Sequence, residues 1–297
     1  MTDFDPRTSK HIKLMILTLT FLFAFSACGR FESIPYDPPQ TPGSWLTIQP
    51  YTEFKLGSQN IILVQPSTTF FVYLLGLLTI GLGVYFLRIR AGQRSRLWWG
   101  IAMLLWGLGA LLAGTSYEAF SYAIKCAGRE ACIWTSWWEI IYLLVTIWSF
   151  DAIFLAVAYS SSTGIWRKLL IGYAVLNAVA YLGLLLAGAF IPVKFWISFE
   201  MLILVSSPGI LVFFFINLAR YLKNKTALDL ALVGTWLGLG LTTAAYFIFY
   251  TSGISETLWA RGTWFTANDV LHILLILWML YIGLVVARRV KDLPNPV

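Results

Sequence analysis

Seven apolar stretches dominate this sequence, and their length limits what the chain can fold into. Windows of roughly 20 residues place them near 70–87, 97–122, 137–159, 169–190, 195–218, 230–250 and 264–287. Runs of this length match the hydrocarbon thickness of a bilayer. Of all residues, 59% are hydrophobic and 12% are charged, which is more apolar than a water-soluble domain. The sequence therefore predicts an all-α membrane protein, a seven-transmembrane-helix bundle.

The basic residues predict the orientation of the bundle. They cluster in alternate connections, in "RIRAGQRSR", "GIWRK", "ARYLKNK" and "ARRVKD". By the positive-inside rule these segments are cytoplasmic, so the bundle starts with its N-terminus outside and ends with its C-terminus inside. The net charge of +7 is spread over short loops rather than along one face, so no nucleic-acid partner is expected.

The N-terminal residues 1–28 resemble an export leader. The stretch "KHIKLMILTLTFLFAFSAC" has a basic flank, an apolar core and small residues before Cys28, as secretory signals do. Two alternatives stay open, a lipoprotein-type signal with lipidation of Cys28 and an uncleaved anchor helix. Both place residue 29 outside, and the pattern favours the bacterial cytoplasmic (inner) membrane.

Beyond the leader, the sequence divides into three parts: a Pro-rich extracytoplasmic segment (29–68), the transmembrane domain (69–290) and a cytoplasmic tail (291–297). The prolines of the first part disfavour helix. Its segments "SWLTIQPYTEF" and "NIILVQPS" are candidates for short strands over the outer mouth. This part is either a cap over the bundle or a tether.

Two cysteines lie in one short loop that is expected outside, between the second and third spans. An oxidising compartment favours a disulfide between Cys126 and Cys132. No His or acid lies at a spacing that would make the pair a metal site.

Four carboxylates and one imidazole are expected in a single layer near the outer boundary. With about 1.5 Å of rise per residue, Glu118, Glu139, Glu200, Asp269 and His272 all fall in the outer third of four different spans. Ionisable groups at membrane depth are costly and usually face the bundle interior. No Lys or Arg is expected at the matching depth, so water, protons or a metal would have to neutralise the layer.

The seventh span carries the densest group. Asn268, Asp269 and His272 share one helical face, and we expect this face to line a polar cavity open to the outside, shared with Glu118 and Glu200. One interpretation is a divalent metal, zinc, manganese or iron, held by His272, Asp269, Glu118 and Glu200. The alternative is an interhelical hydrogen-bond network that only stabilises the bundle.

Other polar residues complete the candidate site. Ser116, Tyr117 and Tyr122 supply hydroxyl groups around Glu118, and with Asn268 they are candidates for binding a substrate. Glu139 is shallow enough to be solvated instead. Asp151 lies deeper and either pairs with Asn177 or belongs to a separate inner site.

The pattern resembles the superfamily that contains alkaline ceramidases and the progestin and adiponectin receptors. The shared features are seven spans, Ser116 on the second span, an acid (Asp151 or Glu139) on the third and His272 on the seventh. The resemblance implies a membrane hydrolase that binds zinc and cleaves lipid amides. Two of its three histidine ligands are replaced here, by Phe120 and Asn268.

Three functions follow from these features. The first is a metal-dependent lipid hydrolase, with His272, Asp269 and Glu118 as catalytic residues and a membrane lipid as substrate. The second is a ligand-binding sensor or receptor-like protein without catalytic activity, for a lipid or small molecule from the outer side. The third is a proton- or cation-coupled transporter or an assembly factor.

Overall fold

The computed structural model describes residues 30–191 and 193–294. In this part of the chain seven helices are long and apolar enough to cross a membrane, as the sequence predicts. They are α1 (Pro66–Arg88), α2 (Arg94–Ala119), α3 (Trp137–Ser161), α4 (Gly164–Phe190), α5 (Phe199–Asn224), α6 (Ala227–Thr251) and α7 (Ala267–Val286). The leader and Cys28 lie outside the described residues, and the orientation in the membrane stays a prediction.

Local hydrogen bonds set helix boundaries that hydropathy alone places differently. α4 begins at Gly164, before the predicted 169, because the cations that end the apolar window lie in its first turns; the Arg167 guanidinium donates back to the Ser162 carbonyl at 2.9 Å. α7 begins at Ala267, after the predicted 264, where Thr266 acts as N-cap. Side-chain caps thus decide where a spanning helix starts.

The seven helices are not equally buried. In the most apolar stretch of α3, 78% of residues are buried, against 17% in α4. α3 packs against α2, α4 and α5. It is therefore the central helix, while α4 lies at the periphery with most of its surface facing the surroundings.

Glycines let α1 and α2 approach closely. A Cβ atom on Gly76 would lie 2.7 Å from the Leu111 side chain, and one on Gly107 would lie 2.7 Å from the Gly76 carbonyl oxygen. Close approach of helix backbones at small residues is common between membrane helices.

Residues 30–65 form a cap on one end of the bundle, hereafter the cap end. It contains a short helix (Pro42–Thr47) and an antiparallel hairpin of β1 (Tyr51–Leu56) and β2 (Gln59–Val64). Backbone bonds tie the cap to the α2–α3 loop: the Cys132 amide donates to the Gln40 carbonyl at 2.8 Å. Of the two alternatives, the structure therefore shows a cap rather than a tether.

At the opposite end, the tail end, the residues after α7 fold back over the bundle. The Asp292 carboxylate accepts from the backbone amides of Arg94 (2.8 Å) and Ser95 (2.7 Å) and so caps α2. The Leu293 carbonyl accepts from Arg167 at 2.7 Å. The basic clusters found by sequence lie in the α1–α2, α3–α4 and α5–α6 connections and after α7, which all belong to this end.

Candidate functional site

The cap end holds a buried ion pair between Lys125 and Glu139. Lys125 ends the short helix Ser121–Lys125 that follows α2, and Glu139 lies in the first turn of α3. Lys125 is 2% exposed and Glu139 is 1% exposed. Two expectations are thereby corrected. The expectation that no ion pair neutralises the acids is wrong for Glu139, because Lys125, which lies in a short helix beyond α2 rather than on a span, pairs with it. Glu139 is also buried rather than solvated.

Polar and aromatic groups surround the ammonium group of Lys125. It donates to the Tyr36 hydroxyl and to the Trp134 carbonyl, both at 3.4 Å, and lies 4.8 Å from the centre of the Tyr117 ring. Burial lowers the pKa of Lys125, but the charge of Glu139 and the contact with Tyr36 outweigh burial and raise it overall. The ammonium group of Lys125 thus keeps its charge and has partners on several sides, as a buried charge must.

Cys126 and Cys132 are joined by a disulfide directly after Lys125. Both sulfurs are buried in a small cluster with Trp45, against which Tyr122 packs. The disulfide therefore closes the loop that holds Lys125 under the cap.

Glu118 lies on a π-helical turn, Gly114–Ala119, at the cap end of α2. Such turns interrupt regular helix packing and are frequent at functional sites. The Glu118 side chain is 3% exposed, and its Oε1 accepts from the Asn268 amide at 3.4 Å. Its Oε2 is buried without a hydrogen-bond partner among the described groups. The predicted meeting of the second and seventh spans is thus made through Asn268.

Asp269 is a helix cap. Its Oδ2 accepts from the Thr266 backbone amide at 2.6 Å, while the Asp269 amide donates to the Thr266 hydroxyl. This reciprocal capping box fixes the start of α7, and the Thr266 hydroxyl also meets Thr68 of α1 at 3.2 Å. From its depth, Asp269 is expected to be a metal ligand or a catalytic acid. One of its two carboxylate oxygens already serves the helix cap, so only the other is available for such a role.

His272 lies one turn further along α7 and faces a chamber inside the bundle. Its side chain is 8% exposed, and its Nδ1 is buried without a hydrogen-bond partner in the described part of the chain. The chamber has a volume of about 450 Å³ and is bounded by every spanning helix except α4. Pockets of this size hold drug-sized molecules.

The chamber wall is mostly apolar, with Trp106, Phe150 and Leu275 among its residues. The few polar side chains there include Ser206, Ser207, Thr146, Thr243, Tyr246 and His272. Both serines donate to the Ile203 carbonyl of their own helix, at 3.2 and 2.6 Å. His272 is thus the chamber residue that most clearly has hydrogen-bonding capacity to spare.

The chamber opens sideways. On its α6 wall, Gly240, Ala244 and Phe247 are exposed, and Phe247 is 41% exposed. A Cβ atom on Gly240 would meet no atom within 4 Å. The opening therefore lies beside α6, on the side of the bundle that faces lipid.

A second, smaller cavity of about 290 Å³ lies at the cap end. Asn268 and Gln65 line it, and Tyr246 borders both cavities. Glu118, Asp269 and Glu200 line neither cavity, which corrects the expectation of one polar cavity shared by all of them. The helical face of α7 is instead divided between the two cavities: Asn268 borders the smaller one and His272 the chamber.

The remaining predicted residues lie apart from His272. Ser116 donates to the Leu112 carbonyl of its own helix at 3.0 Å, Tyr117 packs on Lys125 and edge-to-face on Tyr142, and Tyr122 packs near the disulfide. Glu200 is exposed in the first turn of α5, where a carboxylate interacts favourably with the helix dipole. Within residues 30–191 and 193–294, no three His, Cys, Asp or Glu side chains are grouped so that they could hold a metal ion.

Asp151 pairs with Asn177, one of the two alternatives for it, with 2.9 Å between Asn177 Nδ2 and Asp151 Oδ1. Sequence reasoning missed the chamber residues Ser206, Gly240 and Tyr246. They carry no charge, so no signal in an apolar helix marks them. Only the angular positions of six helices bring them together.

One family model matches the chain over residues 67–291, and it is described as a family of unknown function, DUF6962. The match covers the seven spanning helices and ends in the tail. Searches of curated proteins and of solved structures find no match.

Proposed function

The chain belongs to this family of unknown function, and we propose that it is a binding protein for a lipid-like amphipathic molecule. The molecule enters the chamber sideways from the bilayer beside α6, places its apolar part against the chamber wall and directs one polar group to His272. The observation that carries the proposal is His272, whose imidazole lines an open apolar chamber and whose Nδ1 has no hydrogen-bond partner among the described groups.

The apolar wall supports a ligand with a hydrocarbon part. Burial of apolar surface drives binding in water, but a molecule already in lipid gains little from it. Its preference for the chamber must then come from close packing and from a hydrogen bond that lipid tails do not offer. An imidazole supplies that bond, since it has one donor and one acceptor nitrogen when neutral.

The lateral opening supports entry from the bilayer. Gly240 leaves the gap beside α6 unobstructed, and Phe247 and Ala244 flank it with apolar surface. A ligand that dissolves in the membrane can pass such a gap without leaving hydrocarbon. Function in this proposal is recognition of a membrane-borne ligand, as in a receptor-like or sensing protein.

The test is a binding isotherm of a fluorescent single-chain fatty acid on purified protein freed of lipid. Gly240→Phe should weaken binding about tenfold, a loss of ~1.4 kcal/mol, because its ring occupies the opening. Gly183→Phe is the matched control. Gly183 is also an exposed helical glycine with no atom within 4 Å of an added Cβ, but it lies on α4, away from the chamber. Equal affinities for the two variants would reject the chamber as the binding site.

The metal-dependent lipid hydrolase remains a second candidate on one observation. Glu118 Oε2, Asp269 Oδ1 and His272 Nδ1 are all buried without partners among the described groups. Elemental analysis separates the two functions. About one equivalent of zinc, manganese or iron that is lost in His272→Ala would favour the hydrolase, whereas binding of the fatty acid by metal-free protein would favour recognition.

A further inference from the structure

A further acid with one unpartnered oxygen, Asp151 of α3, lies beside a groove in the lateral surface of the bundle. It is fourteen residues from the start of α3 and ten from its end, or about 21 Å and about 15 Å along the helix axis. Its side chain is 4% exposed. Oδ1 accepts from Asn177, while Oδ2 is buried with no partner in the described structure. A carboxyl group near mid-membrane is thus only half satisfied.

This acid lies in a groove of about 320 Å³ between α2, α3 and α4. The groove is lined mainly by apolar side chains, among them Trp98, Trp148, Val175 and Val179. Val175 is 52% exposed and Val179 is 62% exposed. Because α4 is the least buried helix of the bundle, the groove opens to lipid and is separate from the chamber.

The depth of Asp151 determines which partner can reach it. Lipid headgroups lie at the membrane surface, about 15 Å away along the helix, and lipid tails have no donor. A transmembrane helix can present a side chain at any depth. The small residue Ala178 lines the groove and is partly exposed, and small residues let helix backbones approach closely.

The charge of Asp151 determines what that helix must carry. The groove is lined by no Lys or Arg among the described residues, so the ionised acid has no counter-ion there. A basic side chain opposite would neutralise it, and ionisable residues inside membranes pair in this way.

We propose that this groove is the docking site for a transmembrane helix of a partner protein that carries one lysine or arginine near the middle of its span. The contact would pair the Asp151 carboxyl group with the basic group and seat the partner helix against the exposed α4 residues Val175 and Val179. The proposal is independent of the chamber and its ligand, and it gives a receptor-like protein a route to a partner within the membrane.

The test uses synthetic transmembrane peptides of about 25 Leu and Ala residues, labelled for energy transfer to the protein in vesicles. One peptide has a central lysine, one has that lysine displaced by about 10 Å, or two turns, and one has leucine instead. The central-lysine peptide should bind about tenfold more tightly than the other two. This comparison uses the unaltered protein, so it does not depend on how a variant folds.

Variants then assign the contact. Asp151→Asn should remove the preference for the central lysine, and Glu200→Gln, which alters an exposed acid on α5, should keep it. Three results would overturn the proposal: equal binding of all peptides, equal binding of both lysine peptides, or a preference that survives Asp151→Asn. Energy transfer between two copies of the chain, together with no binding of any peptide, would likewise overturn it. The groove would then hold a second copy.

Discussion

Two polar groups near the cap end differ in how they are satisfied. Lys125 and Glu139 form a covered ion pair that tyrosine and carbonyl groups complete. His272, which lies about 7.5 Å along α7 from the N-terminal residue of that helix, has a buried nitrogen with no described partner and faces an open chamber. Sequence depth places Glu139 and His272 in one layer, but Glu139 is paired with a cation, whereas His272 Nδ1 has no partner among the described groups.

The difference separates a structural site from a binding site. Burial of a polar group costs free energy unless it is paired, so a satisfied pair stabilises its surroundings when kept intact. An unsatisfied buried group instead raises the free energy of the protein without ligand. A ligand that pairs with this group removes that cost and so binds more tightly. We therefore expect substitutions at Lys125 to affect folding and substitutions at His272 to affect binding.

The largest effect is expected from Lys125→Ala. It leaves the buried carboxylate of Glu139 without its cation, which typically costs about 3–5 kcal/mol. Thermal unfolding in detergent should show a clear drop in Tm. The double variant Lys125→Met with Glu139→Gln should recover much of the loss, because no buried charge is then left unpaired. A single variant as stable as the unaltered protein would show that the pair is not structural.

A smaller loss of stability is expected from Cys126→Ser with Cys132→Ser. Closure of this short loop contributes roughly 2 kcal/mol by the chain-entropy relation. The same loop holds Lys125, so unfolding of the unaltered protein with and without reductant should show a matching decrease. If reductant and the double substitution leave Tm unchanged, the loop is held by the cap alone.

His272→Leu should weaken fatty-acid binding about tenfold, ~1.4 kcal/mol, with no loss of stability. Leucine removes an unpartnered buried nitrogen and keeps an apolar side chain of similar reach. Isotherms and melting curves on the same preparations measure both quantities. A large drop in Tm with unchanged affinity would reverse the assignment and make His272 structural.

The smallest effect is expected from Asp269→Ala. Loss of the capping interaction with Thr266 should cost about 1 kcal/mol of stability, and Asp269→Asn should cost less because an amide oxygen still accepts. The melting temperatures of the two variants give the comparison. A loss of binding without a change in Tm would instead assign Asp269 to the ligand site.

Sequence reasoning succeeded where a signal is carried by a run of residues. Apolar runs gave the seven helices, and the link between Glu118 and the seventh span followed from depth. It failed at Lys125, because depth along a span says nothing about a short helix that lies beyond the span and ends beside the first turn of α3. It also failed for Glu200, because depth does not give the direction in which a side chain points. A prediction of the chamber would have required the depth and the facing direction of side chains on six helices at once.

The central claim is that the ligand site is the chamber and that His272 is its polar contact. The most direct measurement is photo-crosslinking of a diazirine-bearing fatty acid, with labelled peptides identified by mass spectrometry. The account predicts labels on the chamber faces of α5, α6 and α7, including the α7 turn around His272, and their loss in Gly240→Phe but not in Gly183→Phe. Labels confined to the lipid-facing surface of α4, or unchanged by Gly240→Phe, would contradict it.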